Sequence, residues 1–230
     1  MSDLRLGRWQ DALAGVECDA LIADPPYGAK THAGHTATSR GHRGQGHDNS
    51  DRREIDYAHM TTESVAEFVA SWAPRTRQWM VCMTSHDLIS AFQDAYADAG
   101  WYAFAPVPWV NPGGTVRLSG DGPASWTCYL MVARPRTKAA MNWRALPGAY
   151  VMPQDRGARI GGKPLSLMRA VIRDYSNEGD LVCDPCAGYG TTLIAAAQMQ
   201  RRAIGSEMDA DAYAEACARI DAASRQGALL

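Results

Sequence analysis

No apolar run in this 230-residue sequence is long enough to cross a bilayer. The opening residues Met-Ser-Asp-Leu-Arg carry no apolar stretch followed by a small-residue cleavage site. They do not read as a signal peptide, so a cytoplasmic protein with no membrane partner is expected. A dominant charge sign is also lacking, since the formal net charge is −2. This excludes a protein that coats nucleic acid by bulk charge, and any such affinity must come from a local patch. A second cysteine pair is missing as well. Cys183 and Cys186 form a C-x-x-C, but Cys18, Cys82, Cys128 and Cys217 stand alone. A structural zinc site needs ligands at matching spacing, so no metal is expected. A redox dithiol is an open alternative to the plainer pairing of a strand-end cysteine with a loop cysteine. No internal repeat is found.

The length suits one well-cored domain, taken to span residues 1–230. Short apolar runs bounded by turn residues read as strands: Leu4–Leu6, Asp19–Ala23, Trp79–Met83, Trp101–Val110, Trp126–Ala133, Asp180–Cys183 and Arg202–Gly205. Helical periodicity falls between them over Thr61–Trp72, Ser85–Ala99, Pro164–Tyr175, Thr191–Gln200 and Asp209–Ala223. Strands alternating with helices predict an α/β fold with a mostly parallel sheet covered on both faces. Three segments read as irregular: a loop over 28–56, a Gly- and Pro-rich stretch over 111–124, and an insertion around 135–162.

Asp184-Pro185-Cys186-Ala187-Gly188-Tyr189-Gly190-Thr191 follows a strand and opens a helix, the context in which Gly-x-Gly carries meaning. Glu207 stands at the end of the next strand, where a carboxylate can accept from both hydroxyls of a ribose. A phosphate loop would need Gly-Lys-Ser/Thr, and no lysine follows. A dinucleotide fingerprint would need a third glycine where Leu193 stands. Asp184 would repel a pyrophosphate but suits an ammonium group. The set points to S-adenosylmethionine, which joins an ammonium, a sulfonium and a ribose. The plain alternative is an ordinary tight strand–helix turn.

Asp24-Pro25-Pro26-Tyr27 also follows a strand, and ligands of open α/β sheets sit beyond the carboxyl ends of the strands. Two prolines remove two backbone donors and stiffen the turn, leaving carbonyl acceptors. Asp24 adds a carboxylate acceptor and Tyr27 a flat face. An exocyclic amino group needs acceptors for its two hydrogens and a ring to stack on, and these four residues supply them. Acceptors at Asp24 and the Pro25 carbonyl would hold the nitrogen for in-line attack on a methyl group, so positioning would supply most of the acceleration. A base within a duplex would have to flip out to reach them. A proline-rich turn that merely caps a strand is the alternative.

The combination resembles the DNA amino-methyltransferases, in particular the permuted β class, and the resemblance covers most of the chain. In that group the catalytic motif precedes the cofactor motif, as Asp24–Tyr27 precede Asp184–Thr192 here. Gly162-Lys163-Pro164-Leu165 is similar to the family's Lys-Pro segment beside the methionine end of the cofactor. The resemblance implies a Rossmann-like methyltransferase fold, circularly permuted, with seven strands of which one is reversed. In that order Leu4–Leu6 would be the third strand, Asp19–Ala23 the fourth and Trp79–Met83 the fifth. The two aromatic strands would make a reversed edge pair, and those ending at Asp184 and before Glu207 would be first and second. The cofactor set is then Asp184, Pro185, Cys186, Ala187, Gly188, Gly190, Thr191 and Glu207, with Lys163, Pro164, Asp24 and Trp9 around it. Gly7-Arg8-Trp9 stands where the family has Gly-Asp. The large target-recognition insertion of restriction-modification members is absent, which leaves 135–162 and the loop 28–56 for that role.

That loop carries Lys30, Arg40 and Arg43, expected to meet DNA phosphates. His32, His35, His42 and His47 fit no common metal spacing. Arg134, Arg136 and Lys138 make a smaller basic run. Pro185-Cys186 mimics the nucleophile of C5-cytosine methyltransferases, but it lies in the cofactor loop rather than on the catalytic strand. The expected activity is methylation of adenine N6 in DNA, with cytosine N4 as the near alternative. A nucleotide-dependent enzyme or a non-catalytic DNA-binding module is the alternative of another class. RNA or a glutamine side chain would also present a suitable planar group, and a homodimer is expected from the resemblance.

Overall fold

The computed structural model describes residues 2–29, 58–112, 126–137, 145–155 and 162–227. These residues form one mixed sheet with helices on both faces. The strands are β1 (Ser2–Leu6), β2 (Cys18–Ala23), β3 (Thr76–Thr84), β4 (Tyr102–Ala103), β5 (Val107–Val110), β6 (Thr127–Arg134), β7 (Tyr150–Val151), β8 (Leu181–Asp184) and β9 (Arg202–Glu207). Their order is β1-β9-β8-β2-β3-β6-β5-β7, with β4 paired to β6. The first five run parallel, and β6 is antiparallel to β3, β4 and β5. The seven expected strands and the single reversed one are present. Two dipeptide strands, β4 and β7, extend the count.

The aromatic strands form the antiparallel pair β5 and β6, of which β6 is the reversed member among the described strands, and β7 rather than β5 is the outer strand. The run Trp101–Val110 is broken in two. Phe104 N–H still reaches the Val132 carbonyl, but Pro106 has no N–H to continue the ladder. β3 begins three residues earlier than its apolar run, with polar Thr76 already paired to Cys18.

The helices are α1 (Trp9–Ala12), α2 (Thr62–Trp72), α3 (Ile89–Asp98), α4 (Leu165–Tyr175), α5 (Thr191–Gln198) and α6 (Ala210–Gly227). Thr61 caps α2 in a reciprocal pair with Ser64, as its Thr-Thr-Glu-Ser start suggests. Helix α3 starts later than expected. Asp87 accepts a 2.5 Å bond from the Ser85 hydroxyl, and the segment His86–Leu88 is a 3-10 turn instead. Pro164 sits at the N-cap of α4, next to its first turn, and Asp155 Oδ2 accepts from Leu165 N at 2.8 Å.

Alternation along β3 divides the core. Trp79, Val81 and Met83 join the layer under α4 and α5, while Met80 and Cys82 join the layer under α2 and α3. With both faces covered, the middle strands read as unbroken apolar runs. At the far edge β1 pairs with β9, and α6 packs against both. The first and last elements are therefore neighbours, as a circular permutation requires. Among the described residues no helix is long and apolar enough to cross a membrane.

Candidate functional site

Strands β2, β8 and β9 are adjacent and parallel, so their carboxyl ends share one rim of the sheet. Asp24 follows β2, Asp184 ends β8 and Glu207 ends β9. The two motifs, far apart in sequence, meet there.

The loop after β8 is shaped by close backbone packing. The Ala187 N–H bonds to the Ser206 carbonyl at 2.9 Å, and the Ser206 hydroxyl to the Pro185 carbonyl at 3.0 Å. Gly205 permits this approach: a Cβ there would stand 2.7 Å from the Asp184 carbonyl oxygen and 3.2 Å from Ala187 Cβ. Gly190 caps α5 in the left-handed region, with φ +75°. Glu207 Oε2 accepts from Gly188 N at 2.8 Å, and Oε1 accepts from Asp209 N at 2.8 Å. The carboxylate is thus fixed beside the glycine loop with further lone pairs available. Thr191 begins α5, and Arg219 from α6 reaches the Tyr189 carbonyl at 2.5 Å.

Asp184 is 1% exposed. Burial pushes its carboxyl up to about 7, against the opposing effect of hydrogen bonds from Thr192 and the Cys186 N–H. The charged neighbours that act on it, Asp24 and Glu207, are acids and raise it further. The Cys186 thiol is pushed well up by burial and then by Asp184 and Glu207. The rim therefore carries a negative potential that disfavours anions and suits a cation.

The other motif forms a compact cluster. The Tyr27 hydroxyl donates to Asp24 Oδ1 at 3.0 Å and lies 2.9 Å from Cys128 Sγ on β6. The Lys163 ammonium donates to Asp24 Oδ2 at 2.5 Å and sits 4.9 Å from the Tyr27 ring centroid. Burial and the Asp24 charge hold the Tyr27 phenol well above its ordinary range, so it stays a neutral donor. Pro25 is buried and Pro26 half-buried. Both line a cleft of about 220 Å³ together with Trp9, Phe68, Met60 and Cys186. The Trp9 ring meets Phe68 edge-on at 5.6 Å and Trp72 at 5.9 Å. This wall can receive a flat ring next to the cysteine of the glycine loop.

Every expected residue of the two motifs stands on this rim. Lys163 lies against Asp24 and the Tyr27 ring, while Pro164 is the N-cap of α4. Sequence reasoning missed Phe68, Met60 and Cys128. Phe68 and Met60 are separated from Trp9 by more than fifty residues, and Cys128 faces Tyr27 only because β6 lies two strands from β2. The candidate DNA contacts Lys30, Arg40 and Arg43 and the four loop histidines lie outside the described residues, as do 138–144 and 156–161 of the insertion 135–162. Arg134 and Arg136 stack near Tyr102, each at 5.5 Å. They lie at the opposite end of the sheet, since β6 runs antiparallel and Tyr129, not Arg134, is level with Thr84. Among the described residues no group of three or more His, Cys, Asp or Glu could hold a metal ion.

A family model for DNA methylases of the N6/N4 type matches residues 160–218. Over 83 residues the chain is 35% identical to the type II methyltransferase M.HindIII of Haemophilus influenzae, covering 36% of this chain and 27% of that protein. The alignments span less than a third of the curated relatives' own length. Among solved structures, a complex of M1.HpyAVI with SAM superposes with a TM-score of 0.69 and 21% identity over 95% of this chain and 100% of that one. The cytosine-N4-specific PvuII DNA methyltransferase gives 0.65 and 12% identity over 98% and 92%. At these identities the structural likeness establishes the fold. The chain has the DNA methyltransferase fold and, in the segment joining Lys163, the glycine loop and Glu207, it carries the sequence pattern of the N6/N4 DNA methylase family.

Proposed function

We propose that this protein is an S-adenosylmethionine-dependent DNA methyltransferase that modifies the N6 amino group of adenine. The observation that carries the reading is the shared rim. An amine acceptor with an aromatic face, Asp24 and Tyr27, stands beside a buried acid and a ribose-type acid, Asp184 and Glu207. The cofactor fits the residues present. Asp184 would take its ammonium, Glu207 its ribose hydroxyls, and Trp9 with Phe68 its adenine. Cys186, Ala187, Gly188, Gly190 and Thr191 shape the loop around it, and Pro185 is pinned under it. When bound, it supplies a methyl group activated by a sulfonium.

The chain's own residues do the rest. Asp24 Oδ2 and the Pro25 carbonyl accept the two amine hydrogens and draw the nitrogen lone pair out of conjugation. Tyr27 stacks on the flipped base and steadies Asp24 through its hydroxyl. The rigid Pro-Pro turn keeps these groups in place, so the acceleration comes from orientation. Water leads the departing proton away. Lys30, Arg40 and Arg43 are proposed to follow the phosphates, and 28–56 with 135–162 to read the target. A homodimer is the proposed assembly, and sedimentation would test it.

Cytosine N4 is the second reading, favoured by the likeness to the PvuII enzyme. Asp in the first motif position is commoner among adenine enzymes of the family, which supports adenine. Nucleoside analysis of DNA methylated by the protein tests the choice. Finding N4-methylcytosine and no N6-methyladenine would reverse it. Tight NAD binding without S-adenosylmethionine binding would revive the other enzyme class.

A further inference from the structure

Both oxygens of the proposed catalytic carboxylate are already engaged. Oδ1 accepts from the Tyr27 hydroxyl at 3.0 Å, and Oδ2 accepts from Lys163 at 2.5 Å. The same ammonium stands 4.9 Å from the Tyr27 ring centroid. These are the two interactions that the proposed function assigns to the target base: an N–H donor on Asp24 and a partner on the Tyr27 face. Lys163 is 9% exposed in its side chain, so water does little to hold it there; Asp24 and the ring do.

We propose that Lys163 is a stand-in for the target amine, holding the base site closed until a base that offers amino hydrogens displaces it. The backbone on either side is pinned. Gln154 Nε2 bonds to the Gly162 carbonyl at 2.5 Å, and Asp155 Oδ2 takes the Leu165 N–H at 2.8 Å. Withdrawal is therefore a rotation of a long side chain rather than a movement of the chain. Displacement is selective. A base with an exocyclic amine replaces the donor lost from Asp24. Thymine brings a carbonyl to the same place and leaves the carboxylate facing an acceptor. Adenine and cytosine compete with Lys163, whereas thymine does not. A cofactor cation held by Asp184 would offset the counter-charge that Asp24 loses when Lys163 leaves.

The inference rests on the proposed function, and the test separates the two. Short oligo(dA), oligo(dC) and oligo(dT) strands remove the cost of flipping. Their binding to the full chain is measured by fluorescence anisotropy with saturating sinefungin, an unreactive cationic analogue of the cofactor. If the wild type neither prefers oligo(dA) or oligo(dC) over oligo(dT) nor methylates DNA, the functional reading fails. If it does, Lys163→Met is expected to widen the preference about fivefold, the worth of a partly exposed ion pair. Lys163→Arg, which keeps a cation on Asp24, is expected to restore the wild-type ratio. An unchanged ratio in Lys163→Met, or equal weakening for all three strands, would overturn the inference and make Lys163 a phosphate contact or a structural prop. Should Lys163→Met not fold, the wild-type Lys163 ammonium is followed by NMR. Its signal is expected to lose protection with oligo(dA) and keep it with oligo(dT); the same response to both would overturn the inference.

Discussion

Asp184 stores a measurable strain in the unliganded protein. Its carboxyl titrates at about 7 in the folded chain, against an ordinary 3.8, chiefly because it is buried. A folded value above the unfolded one means that the group's contribution to stability is full below the unfolded value and is lost as pH rises toward the folded value. The loss accrues between about pH 4 and pH 7 and is constant above. At 1.36 kcal/mol per unit it reaches about 4 kcal/mol. Asp184→Asn removes the titration but keeps an oxygen for the Cys186 N–H. The hydrogen bonds from Thr192 and the Cys186 N–H are already included in the raised value. Without cofactor, the variant should be more stable than wild type by about 4 kcal/mol at pH 8 and about 1–2 kcal/mol at pH 5. Urea denaturation at the two pH values reads the gap directly. The same variant should lose most of its S-adenosylmethionine affinity, because the ammonium loses its counter-charge. A gap independent of pH, or a variant less stable than wild type at pH 8, would refute the assignment of strain to this carboxylate.

Cofactor binding should release about three quarters of a proton near pH 6.5, because a bound ammonium favours the ionised Asp184; calorimetry in buffers of different ionisation heat reads this, and no release would contradict it. Gly205→Ala would press a methyl group to 2.7 Å from the Asp184 carbonyl oxygen. A stability loss of about 2–3 kcal/mol in urea is expected, and less than about 0.5 kcal/mol would mean that the β8–β9 packing is looser than described. Tyr27→Phe keeps the stacking face but frees Asp24 Oδ1. Methyl transfer should slow about tenfold with cofactor affinity unchanged, and equal loss of both would assign Tyr27 to the cofactor.

The sequence announced the rim and hid the contacts across it. Asp24, Asp184 and Glu207 were legible because each stands at the end of an apolar run, and parallel strands bring such ends together. The strand order came from the family resemblance, and the pairing bears it out from β1 through β6. The break at Pro106 was written in the sequence and outweighed by the aromatic run around it. The dipeptide strand β7 has too few residues for any periodicity. Lys163 on Asp24 joins positions 139 residues apart, and the contact depends on where α4 begins. The Cys128 contact with Tyr27 likewise depends on β6 returning antiparallel beside β3. Such contacts are products of topology and leave no local signal.

The central claim is that Asp24–Tyr27 hold an exocyclic amine beside the cofactor's methyl group. It is tested most directly by mass spectrometry of nucleosides from DNA of cells expressing either the wild-type chain or Asp24→Ala. N6-methyladenine should accumulate with the wild type and be absent with the variant, while purified Asp24→Ala still binds S-adenosylmethionine. Methylated adenine at the same level in both, or a wild type that yields only C5-methylcytosine, would contradict it.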